Sequence, residues 1–190
     1  MTSTITTPEP PVTTAVTGER ADLLESLRTH RYFLRHTVQG LTDDQARERT
    51  TVSELTLGGL IKHVATVEKS WADFILDGPA AVAGGGDWSE DMEITPEIIE
   101  AWSAKFRLLP DETLEGVLAE YDEVARRTDE LLASLPDLDA AQPLPEAPWF
   151  EKGARRSARR VFLHIIAETS QHAGHADILR ESLDGQKTMG

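Results

Sequence analysis

The sequence predicts an all-α protein, a four-helix bundle with long connecting loops. Apolar residues recur at the three- and four-residue intervals of amphipathic helices in four long segments. No segment alternates between apolar and polar residues convincingly enough to predict a half-buried strand. Two long connections rich in glycine or proline separate the segments, as in bundles with crossover connections. Together these observations favour an architecture of helix packed on helix.

A chain of 190 residues suits one domain with a single core, which we place at residues 19–190. Residues 1–18 are rich in threonine and proline and predict a disordered tail. This tail lacks the basic and apolar regions of a secretory signal. No apolar run approaches the ~20 residues that span a bilayer. We therefore expect a cytoplasmic protein with no membrane partner.

The first helix is predicted from Glu19 to Gln39, and the second roughly from Thr56 to Leu76. The inward residues of the first are Leu23, Leu27, Leu34 and Val38. Those of the second are Leu57, Leu60, Ile61, Val64, Val67, Trp71 and Ile75. For Trp71 we favour plain packing in the core.

Two helical segments follow, near Pro96–Leu108 and Thr113–Leu135. The last helix begins around Arg155 and stops at Gly185, a typical residue after a helix C-terminus. The apolar residues expected to pack from this helix are Ile165, Ile166, Ala173, Ala176, Ile178, Leu179 and Leu183.

The two long loops are Asp77–Glu93 and Pro136–Gly153. Because loops of this length are usually functional or mobile, we expect them to control substrate choice. Trp88 lies in the first loop and Trp149 in the second, and both could line a pocket. The sequence assigns neither tryptophan a role.

Composition argues against several classes of function. A net charge of −14 repels phosphates, so nucleic acid is not an expected partner. The one basic patch, Lys152–Arg160, is expected to form salt bridges with the surplus of acidic residues. The chain has no cysteine, which excludes disulfides, thiolate zinc sites and cysteine nucleophiles. Any thiol chemistry must use a thiol that arrives with a substrate.

The last predicted helix carries a polar stripe where apolar residues are expected. His164, Glu168, His172 and His175 follow one another at spacings of four, four and three, which place them on one face. Burying so many titratable groups is costly unless they are paired or coordinated. Glu168 could share a metal ion with His172 or with His164, one turn away on either side. His164 and His172 could not, because they lie about 12 Å apart along the helix axis.

A catalytic metal usually has three protein ligands and one open position, so a third ligand should come from another helix. His63 lies at the inward edge of the second helix, and His30 on the first helix is a rival. Each histidine could instead be a hydrogen-bonded core residue. An i, i+4 pair of glutamate and histidine is also common on exposed helices. Residue spacing alone leaves these alternatives open.

Two blocks of sequence resemble the DinB-like metalloprotein superfamily. They are LTLGGLIKH, which ends at His63, and ETSQHAGHADILRESLDG, which begins at Glu168. The chain is most similar to the mycothiol-dependent branch, which contains maleylpyruvate isomerase-like proteins and mycothiol S-transferases. The resemblance extends from Glu19 to Gly185 but is weak in the two long loops. It implies a four-helix bundle, often dimeric, that holds a divalent metal.

The resemblance also implies that His63, Glu168 and His172 are the metal ligands. Many members of the superfamily have histidine at the position of Glu168, and the glutamate favours the mycothiol-dependent branch. Two histidines and a carboxylate favour zinc, with nickel, manganese and iron as alternatives. His164 and His175 are the expected catalytic residues. They could handle a proton, or they could orient a ligand, which is the interpretation we favour.

The predicted function is therefore a metal-dependent thiol S-transferase. Mycothiol is the expected cosubstrate, activated as a metal-bound thiolate that attacks a small electrophile. The alternatives are a hydrolase or an isomerase that uses the same site, and a metal-binding stress protein without turnover. Thiol dependence separates the transferase from the hydrolase. The sequence does not identify the electrophile, and it leaves a homodimer open.

Overall fold

The computed structural model describes residues 16–82 and 95–188, so most of the predicted tail and Trp88 lie outside the described residues. In chain order the helices are α1 (Glu19–His36), α2 (Asp43–Arg47), α3 (Leu57–Asp77), α4 (Pro96–Ala104), α5 (Leu114–Ser134) and α6 (Ala158–Asp184). A 3-10 turn, Pro79–Ala81, follows α3. Two short strands, β1 (Ala141–Pro143) and β2 (Arg155–Ser157), precede α6.

The four long helices α1, α3, α5 and α6 form a bundle, which confirms the predicted all-α class. α6 packs against both α1 and α3, and α3 packs against α5 as well. Buried leucine, isoleucine, valine and phenylalanine side chains fill the space between the helices in two clusters. Among the described residues, no helix is both long and apolar enough to cross a membrane.

Side-chain caps define where three of these helices begin. The hydroxyl oxygens of Thr56, Thr113 and Ser157 accept hydrogen bonds from backbone N–H groups in the first turns of α3, α5 and α6. α6 ends at Gly185, whose φ of 81° lies in the left-handed region. The predicted limits of the second helix and of the C-terminal stop are therefore close to those observed.

The small antiparallel sheet is a feature that the sequence pattern did not predict. Residues Arg155–Ser157 form β2, although they were expected to begin the last helix, and Gln142 of β1 pairs with Arg156. Each strand has only three residues, which is too short for an alternating pattern to show. The sheet holds the chain beside α3 immediately before α6 begins.

Other predictions differ from the structure in detail. α1 ends at His36 rather than Gln39, and α4 ends at Ala104 rather than Leu108. Ile178 was expected to pack in the bundle, but its side chain is 61% exposed. It lies on the outer face of α6, one residue before the buried Leu179.

A buried ion pair crosses the bundle. Arg31 of α1 donates two hydrogen bonds to the fully buried carboxylate of Glu68 on α3, at 2.5 and 3.1 Å. The same guanidinium donates to Asp129 of α5 at 2.7 Å. Arg31 therefore links three of the four long helices.

Candidate metal centre

Three residues converge between α3 and α6. His63, Glu168 and His172 each have a possible ligand atom, a ring nitrogen or a carboxylate oxygen. These three atoms lie within 4.8 Å of one another. Oε2 of Glu168 lies 3.6 Å from Nε2 of His172. The rings of His63 and His172 meet edge to face, with centroids 4.8 Å apart. His30, the rival third ligand, is not a member of this group.

The positions of these residues follow from local helix geometry and from the packing of α3 on α6. Glu168 and His172 lie one turn apart on α6, so their side chains share a face. His63 lies on α3 beside the buried Val64, at the edge of the apolar stripe that packs against α6. All three side chains are half-buried. Each of them therefore keeps part of its surface in contact with solvent.

The ring of Phe106 packs against the imidazole of His63. The two rings are stacked, with centroids 4.2 Å apart and planes inclined by 25°. The backbone of Phe106 comes so close to α3 that a Cβ atom on Gly59 would lie 1.8 Å from its carbonyl oxygen. Gly59, the second glycine of LTLGGLIKH, is thus required for the segment after α4 to pack beside His63. Sequence reasoning did not single out Phe106, because nothing in its neighbourhood indicates this contact.

The environment keeps both imidazoles of the cluster neutral near pH 7. Burial lowers the pKa of His63 to about 4, and the charged forms of His172 and Lys105 add to the effect. Burial also lowers the pKa of His172, against the opposing attraction of Glu168. Neutral imidazole is the form that binds a metal ion.

His175 and His164 each contact one member of the cluster. Nδ1 of His175 lies 3.4 Å from Nδ1 of His172, whereas Glu168 approaches the other nitrogen of that ring, Nε2. Nε2 of His164 lies 3.8 Å from Oε1 of Glu168. Burial lowers the pKa of His164. The negative charge of Glu168 opposes this shift, and the positive charges of Arg156 and Arg160 reinforce it.

Trp71 is half-buried and packs against the core, as expected, where its ring meets that of the buried Phe74 at 5.3 Å; its other contacts are at the edge of the site. Its ring meets His164 edge to face at 4.9 Å, and the guanidinium of Arg156 stacks on it at 4.6 Å. Trp149 is 60% exposed and neighbours Phe150, with ring centroids 6.1 Å apart.

The basic patch Lys152–Arg160 forms salt bridges only in part. Arg159 pairs with Glu19 and Asp139, as expected. Arg156 and Arg160 form no salt bridge with a residue of 16–82 or 95–188. The sequence pattern did not predict that Arg156 lies over Trp71, because this position depends on the strand pairing of β1 with β2.

The comparisons with known proteins agree with this fold. A family model described as mycothiol-S-transferase matches residues 22–185, a range that includes the three converging residues. No curated protein sequence matches the chain. Among solved structures, a conserved protein from Enterococcus faecalis is similar in fold, with a TM-score of 0.61 and 14% identity. The alignment covers 90% of this chain and 100% of that one.

Proposed function

The chain belongs to the mycothiol-S-transferase family, and we propose that it is an enzyme that joins mycothiol, through its sulfur, to a small electrophile. We propose further that His63, Glu168 and His172 hold the divalent metal ion on which this transfer depends. The convergence of these three side chains within 4.8 Å is the observation that carries the proposal.

The donor set fits a divalent metal in number, type and spacing. Ligand atoms that are each about 2.1 Å from one zinc ion lie at most roughly 4.2 Å apart. Rotations of three half-buried side chains would bring the observed donor atoms within that limit. Two neutral imidazoles and one carboxylate leave a fourth position for a substrate atom. Zinc is our preferred metal, and nickel, manganese and iron are the alternatives that metal analysis would separate.

The chemistry needs a thiol from outside the chain, because the chain has no cysteine. A divalent cation at this site would lower the pKa of a bound thiol from about 8.5 and favour the nucleophilic thiolate at neutral pH. In a substitution, the sulfur forms a bond to the electrophilic carbon. The leaving group then departs with the electron pair of the bond that breaks.

We assign orienting roles to the two remaining histidines of the stripe. Because Nε2 of His172 faces Glu168, its Nδ1–H can donate to Nδ1 of His175. This bond would fix the tautomer of His172 that presents Nε2 to a metal. His164 would orient the Glu168 carboxylate, and its lowered pKa means that it would do so as the neutral imidazole.

A cytoplasmic location and a homodimer remain parts of the proposal. The first follows from the use of a low-molecular-weight thiol, which needs a reducing compartment. The second is tested by light scattering of the purified protein.

The deciding experiment is a calorimetric titration of the protein with mycothiol, in metal-loaded and metal-stripped forms. Binding that requires the metal, followed by S-conjugation of a test electrophile, would support the transferase. About one metal per chain without any thiol binding would contradict it and favour a hydrolase or an isomerase that needs no thiol. Failure to bind any metal would contradict the proposed centre. The variant His30→Ala serves as a matched control, because His30 lies outside the cluster.

A further inference from the structure

Two arginines beside the candidate metal centre have no acidic partner among the described residues. The chain has 33 acidic residues and only 19 basic ones, so unpaired arginines are unexpected. The neighbouring Arg159 pairs with two carboxylates, and Arg155 donates to the carbonyl oxygen of Ala141. Arg156 and Arg160 form no hydrogen bond or ion pair from their guanidinium groups within residues 16–82 and 95–188.

Arg156 is held by aromatic rings instead. Its guanidinium lies over Trp71 at 4.6 Å and over Phe150 at 5.4 Å. These contacts with ring faces use none of the guanidinium N–H groups in a conventional hydrogen bond. Nη1 is out of contact with solvent and has no hydrogen-bond partner within the described ranges. Nε and Nη2 also lack a hydrogen-bond partner within those ranges but keep contact with solvent, so these are the donors that a ligand can reach.

Both arginines lie near His164, which is itself one turn before the proposed ligand Glu168. Arg160, His164, Glu168 and His172 are spaced by four residues along α6, so they form one continuous stripe. Arg156 reaches the same stripe through Trp71, whose ring contacts His164 at 4.9 Å. Arg160 precedes Glu168 by eight residues, about 12 Å along the helix axis, so the long arginine side chains must bridge part of this distance to meet a small molecule at the metal ligands.

We propose that Arg156 and Arg160 bind a carboxylate of the electrophilic substrate, and that the enzyme therefore prefers electrophiles that carry one. This inference rests on the proposed function, which supplies the reaction. A planar guanidinium with free in-plane donors matches a carboxylate in a bidentate arrangement. Mycothiol contains neither a carboxylate nor a phosphate, so the anionic group belongs to the electrophile.

The test compares N-chloroacetylglycine with N-chloroacetylglycinamide as substrates of the metal-loaded enzyme. In both, the thiol sulfur bonds to the methylene carbon, chloride leaves with the electron pair of the C–Cl bond, and the thiol proton is released. They differ only in a distal carboxylate or carboxamide. We expect kcat/KM to be at least about tenfold higher for the carboxylate. Arg156→Gln should remove most of this preference, because it should lower kcat/KM for the carboxylate substrate far more than for the amide.

Arg160→Gln should reduce the same preference by a smaller factor, because Arg160 is exposed. Arg155→Gln is the matched control, since Arg155 points away from Arg156 on β2 and is exposed. Equal rates of the wild-type enzyme with the two substrates would overturn the inference. The inference would also be overturned if Arg156→Gln lowered the rates with both substrates equally. It would be overturned as well if Arg155→Gln lost as much of the preference for the carboxylate substrate as Arg156→Gln does.

A binding measurement separates this inference from the proposed function. N-acetylglycine and N-acetylglycinamide, which have no leaving group, are titrated into the metal-loaded protein and followed by NMR. Tighter binding of the carboxylate that Arg156→Gln weakens about tenfold would support the anion site even if no transfer is found. Transfer without any carboxylate preference in binding or rate would leave the transferase standing and remove the anion site.

Discussion

The imidazole of His63 lies flat against the ring of Phe106, with centroids 4.2 Å apart. Phe106 follows α4, whereas His63 lies in the middle of α3, so the contact joins the metal cluster to a segment outside the main bundle. The stack closes one side of the cluster and contributes to the burial that lowers the pKa of His63 to about 4.

Loss of a proposed ligand should abolish metal binding without unfolding the chain. His63→Ala and His172→Ala should each bind no stoichiometric metal, measured by elemental analysis after dialysis, because two ligands hold a dication far more weakly than three. Far-UV circular dichroism should stay that of a helical bundle. Glu168→His should retain metal, since histidine is also a good ligand for these ions. Tight metal retention by the double alanine variant would refute the assignment.

Loss of His175 should weaken metal binding without abolishing it. The Nδ1 atoms of His172 and His175 lie 3.4 Å apart, so His175→Ala removes the group that orients a proposed ligand. Changes of this kind typically cost 10–100-fold in affinity, and we expect about tenfold, measured by competition with a chromogenic chelator. His30→Ala should have no effect. An unchanged affinity in His175→Ala would show that the contact has no orienting role.

A methyl group at Gly59 should destabilise the protein and disturb the site. The Cβ atom would lie 1.8 Å from the carbonyl oxygen of Phe106, so the backbone there must move away from α3. We expect Gly59→Ala to lower the free energy of unfolding by about 1–3 kcal/mol or more, measured by urea denaturation. Gly174→Ala is the matched control, because a Cβ atom there meets nothing within 4 Å.

In the control, replacing a glycine inside an exposed helical turn should stabilise the protein by about 0.5–1 kcal/mol. Opposite signs for the two substitutions are the expected pattern. A neutral or stabilising effect of Gly59→Ala would contradict the close approach of α3 and Phe106.

Breaking the buried ion pair should be strongly destabilising. Arg31→Met leaves the carboxylate of Glu68 fully buried without its cation, at a cost of about 3–5 kcal/mol in thermal or urea unfolding. Arg28→Met is the control, because Arg28 pairs with Asp129 but its side chain is 66% exposed. The control should change the unfolding free energy by less than about 1 kcal/mol. The double variant Arg31→Met with Glu68→Leu should recover most of the loss.

The stability of the metal-free protein should fall as the pH is lowered from about 6.5 towards 4. Burial lowers the pKa of His63 to about 4, whereas an unfolded histidine titrates near pH 6.5. Between these values the unfolded chain binds a proton that the folded chain excludes, so unfolding is favoured by acid. The pKa of His172 is shifted in the same direction. His63→Gln should therefore make the urea midpoint less dependent on pH in this window, and an unchanged dependence would contradict the shift.

Much of the fold could be predicted because it depends on local patterns. The helical spacing of Leu57, Leu60, Ile61 and Val64 indicated the buried face of α3, and all four are buried. The spacing also grouped Glu168 with His172, because an α-helix places residues four apart side by side. Three-residue strands such as β2 could not be predicted, since they are shorter than the pattern that identifies a strand.

By itself, the sequence determined the helices, the polar stripe of α6 and the family resemblance, all of which are encoded in neighbouring residues. Residue spacing left the choice between His63 and His30 open, and the tertiary structure decided that His63 lies beside the stripe, because this depends on which face of α3 packs against α6. It also decided that Phe106 and Arg156 lie beside the cluster. These contacts join residues that are distant in the chain, and the packing of whole elements brings them together.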